Sequence, residues 1–422
     1  MVRASAWVFV VRMGHGFTRV NTEHVPSPTV VVADYPVGYA SGFGETLFNL
    51  FSGFPMDKLW NAHPGHLAPA DGKRRGQSIN LPTPSRPGWM PGRMSLAYYP
   101  FLKAQQFRAA RESVRLLSKA VVENSIENLL VIPVTPWILS AAVALHKRYP
   151  ELNLIVYVMD DWQGHHECHQ LPYTRNRRRL LQEVIERSNV RFAVSREMAA
   201  HYEKTFGKTW LVAHNGIRKD ALVHEHRNGF KPKRVFLAGD VNVFRFDAVL
   251  AFAEAIERHN QRRGRAIEFT VMGEVAEQHK ASLSALRAVR LLSRRSHSEC
   301  LDAMKSADLL YLPLAFAKRS SRISLYSLPT KLPEYLASGK SVFVHAPKES
   351  AVFGVAERYD LTPRLASVDL AALDGFVESW ADGKQNGDGA MMKAREALVE
   401  EFDIERLAKH FQSAFVATKS TK

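Results

Sequence analysis

The sequence predicts an α/β protein built from two doubly wound domains of similar size that face each other. Its 422 residues, 46% of them apolar, are enough for two domains of roughly 100–200 residues each. Short apolar runs typical of buried strands alternate with helical stretches, which indicates parallel sheets with right-handed crossovers. A charged, weakly periodic stretch at 218–233, after His214-Asn215-Gly216, separates two such alternations and is typical of a linker.

These features predict a domain organisation. The chain divides into an N-terminal extension at 1–28, a first domain at 29–217, the linker, a second domain at 234–395, and a C-terminal helix at 396–422 that packs back toward the first domain. Ligands of doubly wound sheets bind beyond the carboxyl ends of the strands. We therefore expect the substrate site in the cleft between the two domains.

The first domain opens on a buried strand at 29–33 and a Gly-containing loop that leads into a helix near Gly44. A Pro-rich, loop-heavy stretch at 64–100 precedes a long helix at 101–120. Strands are predicted at 128–132, 153–158, 190–194 and 210–213, with helices at 137–148, 174–187 and 195–205.

The second domain repeats the alternation, which predicts a second parallel sheet. Strands are predicted at 234–238, 266–272, 289–292, 308–313 and 341–345, with helices at 246–259, 298–306 and 330–338. Two further helices, at 369–382 and 389–417, close the chain, and we expect the last to break near Phe402-Asp403.

Composition excludes several classes of protein. No run of about 18 apolar residues is present, so no membrane-spanning helix is expected. The apolar run at 6–11 is too short for a signal peptide, is followed by Arg12 and lacks a small-residue cleavage site. Two cysteines in so long a chain exclude a disulfide framework and favour a reducing compartment, so we expect a cytoplasmic protein.

The charge balance is basic, since 57 Lys and Arg against 42 Asp and Glu give a net charge of +15. Such an excess favours nucleic acid, anionic lipid or phosphorylated substrates as partners. The basic residues occur in short, dispersed clusters at 73–75, 175–179, 262–265, 294–295 and 318–322. This dispersal, and the lack of an interleaved aromatic and basic motif, argue against a nucleic-acid partner.

The most informative segment is Ser327-Leu-Pro-Thr-Lys-Leu-Pro-Glu334-Tyr-Leu-Ala-Ser-Gly-Lys340. Pro329 and Thr330 stand where a helix begins, and Gly339 stands where it ends. The unpaired N–H groups of a helix N-terminus attract anions, and Glu334, one turn in, can accept hydrogen bonds from vicinal hydroxyls such as those of a ribose. If this helix is considered in isolation, a plain helix start, with the basic residues in solvent, explains Glu334 better than a ligand site does.

The same segment, preceded by Asp308-Leu-Leu-Tyr-Leu-Pro313, resembles the donor-binding block of GT-B glycosyltransferases of the family-4-like clan, also called group 1. Further landmarks follow the order seen in that family, namely the Gly-rich loop at 34–44, the stretch at 193–202, His214-Asn215-Gly216 and the strand with its phosphate loop at 235–240. The resemblance spans 29–415 and implies the GT-B fold. It also implies that Glu334 binds the nucleotide ribose while the adjacent helix N-terminus holds the diphosphate.

The resemblance and the local chemistry together define the candidate residues. The donor-binding candidates are Glu334, Lys331, Thr330, Ser327, Arg245, Gly239, Asp240 and Arg322, and the candidates in the first cleft loop are Gly42, Gly44 and Glu45. Arg245, and the cluster Lys318, Arg319 and Arg322, supply cations that can neutralise a diphosphate. The alternatives are an exposed arginine at a helix start and a plain tight turn at 42–44, whose glycines do not match the dinucleotide fingerprint.

One position departs from the family pattern. The family often carries Glu-x7-Glu, whose first Glu lies near the donor sugar, and the residue seven before Glu334 is Ser327. The serine leaves both the stereochemistry of transfer and the identity of the sugar open at this motif, and of the two stereochemical outcomes we expect retention of configuration.

A polar loop at 159–169 follows the strand at 153–158 and is expected to emerge at the cleft. In one interpretation Asp161 or His165 acts as a base or contacts hydroxyls of the donor sugar, as similarly placed residues do in related enzymes. In a second, the three histidines and Cys168 bind zinc, although their spacing is too tight for an ordinary four-ligand site. In a third, the loop has capping roles only. We favour the first and predict no metal.

The helix at 101–120 carries Arg108, Arg111, Arg115 and Lys119 on one stripe, and we place Phe107, Val114 and Leu117 on the opposite side. A basic stripe on a peripheral helix can bind anionic lipid, as expected for enzymes that extend lipid-linked saccharides. A solvated helix face is the alternative interpretation.

The sequence therefore predicts a GT-B glycosyltransferase of the hexosyltransferase type that needs neither metal nor cofactor. Its expected partners are a nucleotide-sugar donor and a saccharide or lipid-linked acceptor, in cell-surface polysaccharide biosynthesis, with peripheral attachment to the inner face of the membrane. The alternative function is that of a non-catalytic GT-B-like protein that binds a saccharide or a partner.

Overall fold

The computed structural model describes the chain over residues 26–84, 99–161, 171–221, 232–264, 266–317, 321–384 and 390–415. Within these ranges the strands form one sheet of seven strands and one of six. Every strand pair in both sheets is parallel. The predicted fold class, two doubly wound α/β domains, is confirmed.

The first sheet has the strand order β3-β2-β1-β4-β5-β6-β7. Its strands are β1 Thr29–Val32, β2 Leu59–Pro64, β3 Gln77–Leu81, β4 Asn128–Val131, β5 Asn153–Val158, β6 Val190–Ala193 and β7 Leu211–Val212. The helices around it are α1 Gly42–Leu50, α2 Tyr99–Glu123, α3 Pro136–Arg148, α4 Leu171–Arg187 and α5 Arg196–Phe206.

The second sheet has the order β10-β9-β8-β11-β12-β13. Its strands are β8 Lys233–Ala238, β9 Ile267–Met272, β10 Val289–Leu292, β11 Leu309–Pro313, β12 Ser341–His345 and β13 Arg364–Leu365. Its helices are α6 Phe246–Arg263, α7 Glu277–Ser284, α8 His297–Lys305, α9 Ser321–Tyr326, α10 Leu332–Ala337, α11 Ala351–Arg358 and α12 Leu370–Ala381. Two last helices, α13 Ala390–Glu400 and α14 Ile404–Gln412, follow.

The strand order reverses once in each sheet, between β1 and β4 in the first and between β8 and β11 in the second. At such a switch point the loops leave the carboxyl ends of two neighbouring strands in opposite directions and open a crevice. The loops that follow β1 and β8 are therefore positioned to bind ligands.

The structure corrects the prediction at the outer side of the first sheet. There β2, for which no strand was predicted, pairs with β1. The strand β3, which lies within the Pro-rich stretch expected to be loop-heavy, pairs with β2. The inner residues of β2 include Asn61 and His63, which are 4% and 2% exposed. Because polar residues occupy buried positions there, the apolar run that marks the other strands is missing.

The last helix returns to the first domain. The ring of Phe411 and that of Phe415, just after the helix, pack against Phe51 at the C-terminal end of α1, with centroids 5.5 and 5.6 Å away. The break predicted near Phe402-Asp403 is confirmed, since α13 ends at Glu400 and Asp403 caps α14 by accepting a hydrogen bond from the backbone N–H of Glu405. The chain therefore passes between the domains twice.

None of the helices in the described ranges is both long and apolar enough to cross a membrane.

Candidate functional site

A cavity of about 630 Å³ lies between the carboxyl ends of the two sheets. The first domain contributes the loops after β1, β5 and β6, and the second contributes the loops after β8, β9 and β10 together with the segment at 323–334. The cleft between the two domains, where the substrate site was expected, thus contains a cavity, and the switch points of both sheets border it.

Backbone atoms form the floor of the cavity on the second domain. They are accessible there because Gly239, which has no side chain, directly follows β8. Gly239 has φ 127°, and a Cβ there would lie 2.7 Å from Nη1 of Arg245. The Arg245 guanidinium thus lies directly over the backbone, where it donates to the carbonyl oxygen of Asp240 at 3.4 Å. Burial lowers the pKa of Arg245, and the guanidinium is a cation because arginine side chains are not deprotonated in proteins. This arrangement suits an anionic group bound against the strand end.

The Asp240 carboxylate is held in a network at the edge of the same floor. It accepts hydrogen bonds from the backbone N–H of Glu274 at 3.0 Å and from Nη2 of Arg294 at 2.7 Å. Arg294 follows β10, so three neighbouring strand ends meet at this carboxylate.

The segment at 327–334, which we call the donor block after the family block that it resembles, also borders the cavity. Four of its side chains line the cavity, namely those of Ser327, Thr330, Lys331 and Glu334. Lys331 Nζ donates to the Glu334 carboxylate at 2.8 Å, with the side chains 28% and 16% exposed. The helix predicted to begin at Pro329 or Thr330 in fact begins at Leu332 and has six residues. The charge that this segment can offer to an anion is therefore that of the Lys331 side chain, since a helix of six residues has only a weak dipole at its N-terminus.

The first cleft loop approaches this block from the first domain. Ser41 caps α1 by accepting a hydrogen bond from Gly44 N–H at 3.3 Å. A Cβ on Gly42 would lie 3.2 Å from Cγ2 of Thr330, so the start of α1 touches the second domain. Glu45 lines the cavity and pairs with Lys73.

Gly44 does not line the cavity, and its role is structural. A Cβ at this position would lie 2.3 Å from the carbonyl oxygen of Tyr39, so only glycine allows the loop to fold over the start of α1.

The two aspartates after β5 point to different places. Asp161, the predicted catalytic residue, is 0% exposed and accepts a hydrogen bond from the Tyr202 hydroxyl at 3.0 Å. Asp160 lines the cavity instead. The structure therefore places Asp160, and not Asp161, as the carboxylate that faces the cavity.

Asp160 reaches across the cavity to the second domain. Its carboxylate accepts a hydrogen bond from the Ser327 hydroxyl at 2.9 Å. Burial raises the pKa of Asp160 to about 6, the Ser327 hydrogen bond acts in the lowering direction, and the charge of Asp161 adds to the rise. Asp160 is therefore an acidic group that is ionised at neutral pH and gains its proton just below it. It stands beside Ser327, the position at which the family often has the first Glu of its motif.

A second polar chain joins the domains close by. Asn49 of α1 donates to Oδ1 of Asn215 at 2.9 Å, and Nδ2 of Asn215 donates to the carbonyl oxygen of Thr330 at 3.2 Å. This chain holds the donor block against α1.

Some predicted residues cannot be placed. His165 lies outside the described residues, as do Lys318 and Arg319 and the three other candidate zinc ligands of the loop. Arg322 belongs to α9, and its side chain is outside the described part of the structure. Within the described part, no group of three or more His, Cys, Asp or Glu side chains is arranged to hold a metal ion.

The structure also adds residues that sequence reasoning missed. Lys73, Arg294, Arg295 and His297 line the cavity, although Lys73 follows β2 and the other three follow β10. The sequence does carry a sign of these residues, since 73–75 and 294–295 are two of its basic clusters. Only the fold shows that these two clusters converge and that the Arg177 of another cluster is buried, at 3% exposure.

The lining thus combines basic side chains with carboxylates. Three of the cations pair with carboxylates in the cavity, namely Lys73 with Glu45, Arg294 with Asp240 and Lys331 with Glu334. Such a lining can bind an anion and can also accept hydrogen bonds from the hydroxyls of a polyhydroxylated ligand.

No protein-family model and no curated protein sequence matches the chain. Solved structures do match it. HepE of Anabaena, in complex with UDP and glucose, has a TM-score of 0.62 at 11% identity, covering 91% of this chain and 98% of HepE. Sucrose-phosphate synthase of Thermosynechococcus elongatus has a TM-score of 0.63 at 11% identity, covering 91% and 97%. The chain has the GT-B fold.

A third structure with the GT-B fold, the apo form of the lipopolysaccharide outer core galactosyltransferase WaaB, matches with a TM-score of 0.58 at 10% identity and covers 89% of this chain and 97% of WaaB. Since these matches extend over both domains, the two halves of the chain form one GT-B unit. Identities this low establish the fold, and the chemistry of the site rests on the residues described above.

Proposed function

We propose that this chain is a glycosyltransferase that moves a sugar from a nucleotide-sugar donor to a hydroxyl of a saccharide or lipid-linked acceptor. The observation that carries the proposal is the composition of the interdomain cavity. Arg245 and Lys331 lie on the second-domain side with Glu334, and Asp160 lies on the first-domain side. The second-domain wall thus offers cations for a diphosphate and a carboxylate for a ribose. The first-domain wall offers a second carboxylate, that of Asp160.

The donor is proposed to be a UDP-sugar held by the second domain. Arg245 and Lys331 would neutralise the diphosphate, and the Glu334 carboxylate would accept hydrogen bonds from the ribose hydroxyls. HepE has been solved in complex with UDP-glucose, which supports this choice of nucleotide. The lipopolysaccharide galactosyltransferase WaaB supports a role in cell-surface polysaccharide synthesis, with a hexose as the transferred sugar.

The proposed transfer breaks the bond between the anomeric carbon and the diphosphate oxygen, and the electron pair leaves with UDP. The acceptor hydroxyl oxygen forms the new bond to the anomeric carbon and gives up its proton to the departing diphosphate, on the same face, so the configuration is retained. The cations of the second domain stabilise the negative charge that develops on the leaving group. Asp160 stabilises the positive charge that develops on the sugar.

The alternative function is a GT-B-like protein that binds a saccharide without turnover, and Ser327 at the motif position favours it. An assay of wild-type protein with a panel of UDP-sugars and oligosaccharides distinguishes the two. We expect UDP to raise the unfolding temperature, with a stabilisation of about 2.7 kcal/mol at a hundredfold excess over Kd. We also expect UDP release with a glycosylated product. Stabilisation without any product would favour the binding protein, and the absence of both would contradict the proposal.

A chelator is expected to leave the transfer reaction intact. If side chains such as Arg245 and Lys331 neutralise the diphosphate, no divalent cation is needed for that task. The measurement compares initial rates before and after treatment with EDTA. A complete loss of activity that magnesium or manganese restores would show that the phosphate argument is wrong.

The acceptor side is proposed to attach reversibly to an anionic membrane through α2. The structure corrects one element of the prediction, because Phe107 is 69% exposed and lies on the same face as the basic stripe, not opposite to it. Two of the four stripe cations are paired within the helix, Arg115 with Glu112 at 2.6 Å and Lys119 with Glu123 at 3.7 Å. The membrane-binding part of the helix is therefore centred on Phe107 and its neighbours Arg108 and Arg111, an aromatic and basic combination typical of interfacial helices.

The wild-type protein is expected to sediment with anionic vesicles and to remain in solution with neutral ones. Each cation near the surface contributes on the order of 1 kcal/mol, screened over about 8 Å at physiological salt. Changing Arg108, Arg111, Arg115 and Lys119 to Gln is therefore expected to abolish most of the sedimentation.

The matched control removes four exposed cations of the second domain, Arg262, Arg263, Lys280 and Lys384, which are 54%, 58%, 58% and 71% exposed. This control changes the net charge equally and is expected to sediment like the wild type. If both variants lost sedimentation equally, the attachment would depend on net charge alone. If the stripe variant lost none, the basic face of α2 would be a solvated helix face.

A further inference from the structure

Three aromatic side chains lie together beside the cavity, Tyr35 and Tyr39 in the loop between β1 and α1 and Phe43 in the first turn of α1. The rings of Tyr35 and Tyr39 are stacked, with centroids 5.0 Å apart and planes at 26°. The ring of Phe43 lies 6.3 Å from that of Tyr35, tilted by 31°, and Phe43 lines the cavity itself. Tyr35 is 36% exposed. We call Tyr35, Tyr39 and Phe43 the aromatic platform.

The backbone beneath the platform is held by several hydrogen bonds, so the rings do not depend on burial for their position. Gly38 N–H donates to the carbonyl oxygen of Gly44 at 2.9 Å, and Ala70 N–H donates to the carbonyl oxygen of Gly38 at 2.8 Å. Tyr39 N–H donates to the carbonyl oxygen of Pro36 at 3.0 Å. A loop fixed in this way presents a preorganised surface, which reduces the entropy lost on binding.

The platform also has a functional position. It follows the carboxyl end of β1, at the switch point of the first sheet, where doubly wound sheets bind ligands. Phe43 of the platform lines the same cavity as Asp240 and Arg294 of the second domain. The platform therefore lies beside the cavity in which the donor is proposed to bind.

Polar groups border the rings. The Glu45 and Lys73 ion pair lines the cavity next to Phe43. Asp34, the residue before Tyr35, accepts hydrogen bonds from Thr135 N–H at 3.2 Å and from the Thr135 hydroxyl at 2.8 Å. Apolar ring faces with charged groups at their rim are suited to a ligand that has both an apolar face and a rim of hydroxyls.

We propose that the aromatic platform binds a pyranose ring of the acceptor saccharide, an inference that rests on the proposed glycosyltransferase function. The C–H groups on one face of a pyranose carry a small positive charge, and they pack against the negative face of an aromatic ring. The hydroxyls at the sugar rim reach the polar groups around the platform. Tyrosine provides a large contact area at a small cost in conformational entropy, as it does in other recognition surfaces.

A protein partner fits the platform less well. A stable protein interface needs on the order of 800 Å² from each partner, far more than three rings at the edge of a cavity supply. Continuity with the proposed donor site favours a small ligand that must lie beside the donor sugar.

The experiment measures binding of methyl glycosides of glucose, galactose, mannose and rhamnose to UDP-loaded protein by saturation-transfer difference NMR. The test variant is the double change Tyr35→Ala and Tyr39→Ala, and the matched control is Tyr35→Phe with Tyr39→Phe, which keeps both rings. We expect at least one glycoside to bind the wild type. Its Kd is expected to rise about tenfold or more in the alanine variant, the order expected when the stacking of two rings is lost. The phenylalanine variant is expected to bind like the wild type.

The Kd for UDP, measured by calorimetry on all three proteins, separates the two proposals. Unchanged UDP binding together with weakened glycoside binding supports the platform. Equal glycoside binding by the wild type and the alanine variant, or binding of none of the glycosides by UDP-loaded wild type, overturns it and leaves the donor site standing. Failure of UDP to bind the wild type overturns the proposed function itself. Thermal unfolding of the alanine variant near the wild-type temperature confirms that it is folded.

Discussion

Changing Asp160 to Asn is expected to lower kcat for sugar transfer by about two to three orders of magnitude while the Kd for UDP stays close to that of the wild type. The reason is that Asp160 faces the cavity from the first domain and carries the negative charge proposed to stabilise the sugar in the transition state. Asparagine preserves the size and can still accept the hydrogen bond from Ser327, so only the charge is lost. Initial rates at saturating donor, with calorimetry for UDP, measure the two quantities.

The matched control is Asp161→Asn, at the neighbouring position. Asp161 is buried against Tyr202, and asparagine can still accept the hydrogen bond from the Tyr202 hydroxyl. We expect this variant to retain most of the wild-type kcat. If it lost as much activity as the Asp160 variant, or if the Asp160 variant were fully active, the assignment of the two aspartates would be wrong.

The same carboxylate predicts the pH dependence. Burial raises the pKa of Asp160 to about 6, and its function requires the ionised form, so kcat/KM is expected to fall as the pH decreases through about 6. The hydrogen bond from Ser327 lowers that pKa. In Ser327→Ala the acidic limb of the profile is therefore expected to move to higher pH, which a merely structural serine would not cause.

Changing Glu334 to Gln is expected to weaken UDP binding by about 1.5–3 kcal/mol, the value of a hydrogen bond to a charged group. This corresponds to an increase in Kd of roughly 10- to 150-fold. The carboxylate is nearly buried in the cavity, at 16% exposure, so water screens the lost interaction only weakly. Isothermal calorimetry with UDP measures the change.

The ribose contact has its own test, because 2′-deoxy-UDP lacks one of the hydroxyls that Glu334 would bind. The wild type is expected to discriminate against the deoxynucleotide, and Glu334→Gln is expected to lose that discrimination. Glu277→Gln removes the same charge from an exposed site of the same domain and is expected to bind both nucleotides like the wild type. Unchanged UDP affinity in the Glu334 variant would remove this residue from the site.

Much of the fold could be predicted because its strands are buried on both faces. The strands at 153–158, 289–292 and 341–345 were predicted to the residue. In a parallel sheet covered by helices, strands read as short apolar runs, which is the strongest local signal a sequence carries. The strand at 59–64 escaped the prediction because Asn61 and His63 occupy buried positions, and the edge strand at 77–81 because most of its residues are exposed and polar.

The donor block could be predicted for a related reason. Ser327, Thr330, Lys331 and Glu334 are close in sequence, so a local turn and the helix after it are enough to bring them to one wall. The family resemblance lay in the same contiguous stretch. What the sequence misjudged there was the helix start, which a capping pattern alone locates only to within one or two residues.

The sequence by itself thus determined the two parallel sheets, the interdomain position of the cleft and the donor block, because hydrophobic periodicity and contiguous motifs are local properties. Only the tertiary structure decided that Asp160 and not Asp161 faces the cavity, and that Lys73 and Arg294 converge there while Arg177 is buried. It also decided that the rings of Tyr35 and Tyr39 lie together with that of Phe43, which lines the cavity. The physical reason is that packing between elements distant in the chain sets two things. It sets the direction in which a side chain points, and it sets which residues lie near that side chain across the cleft.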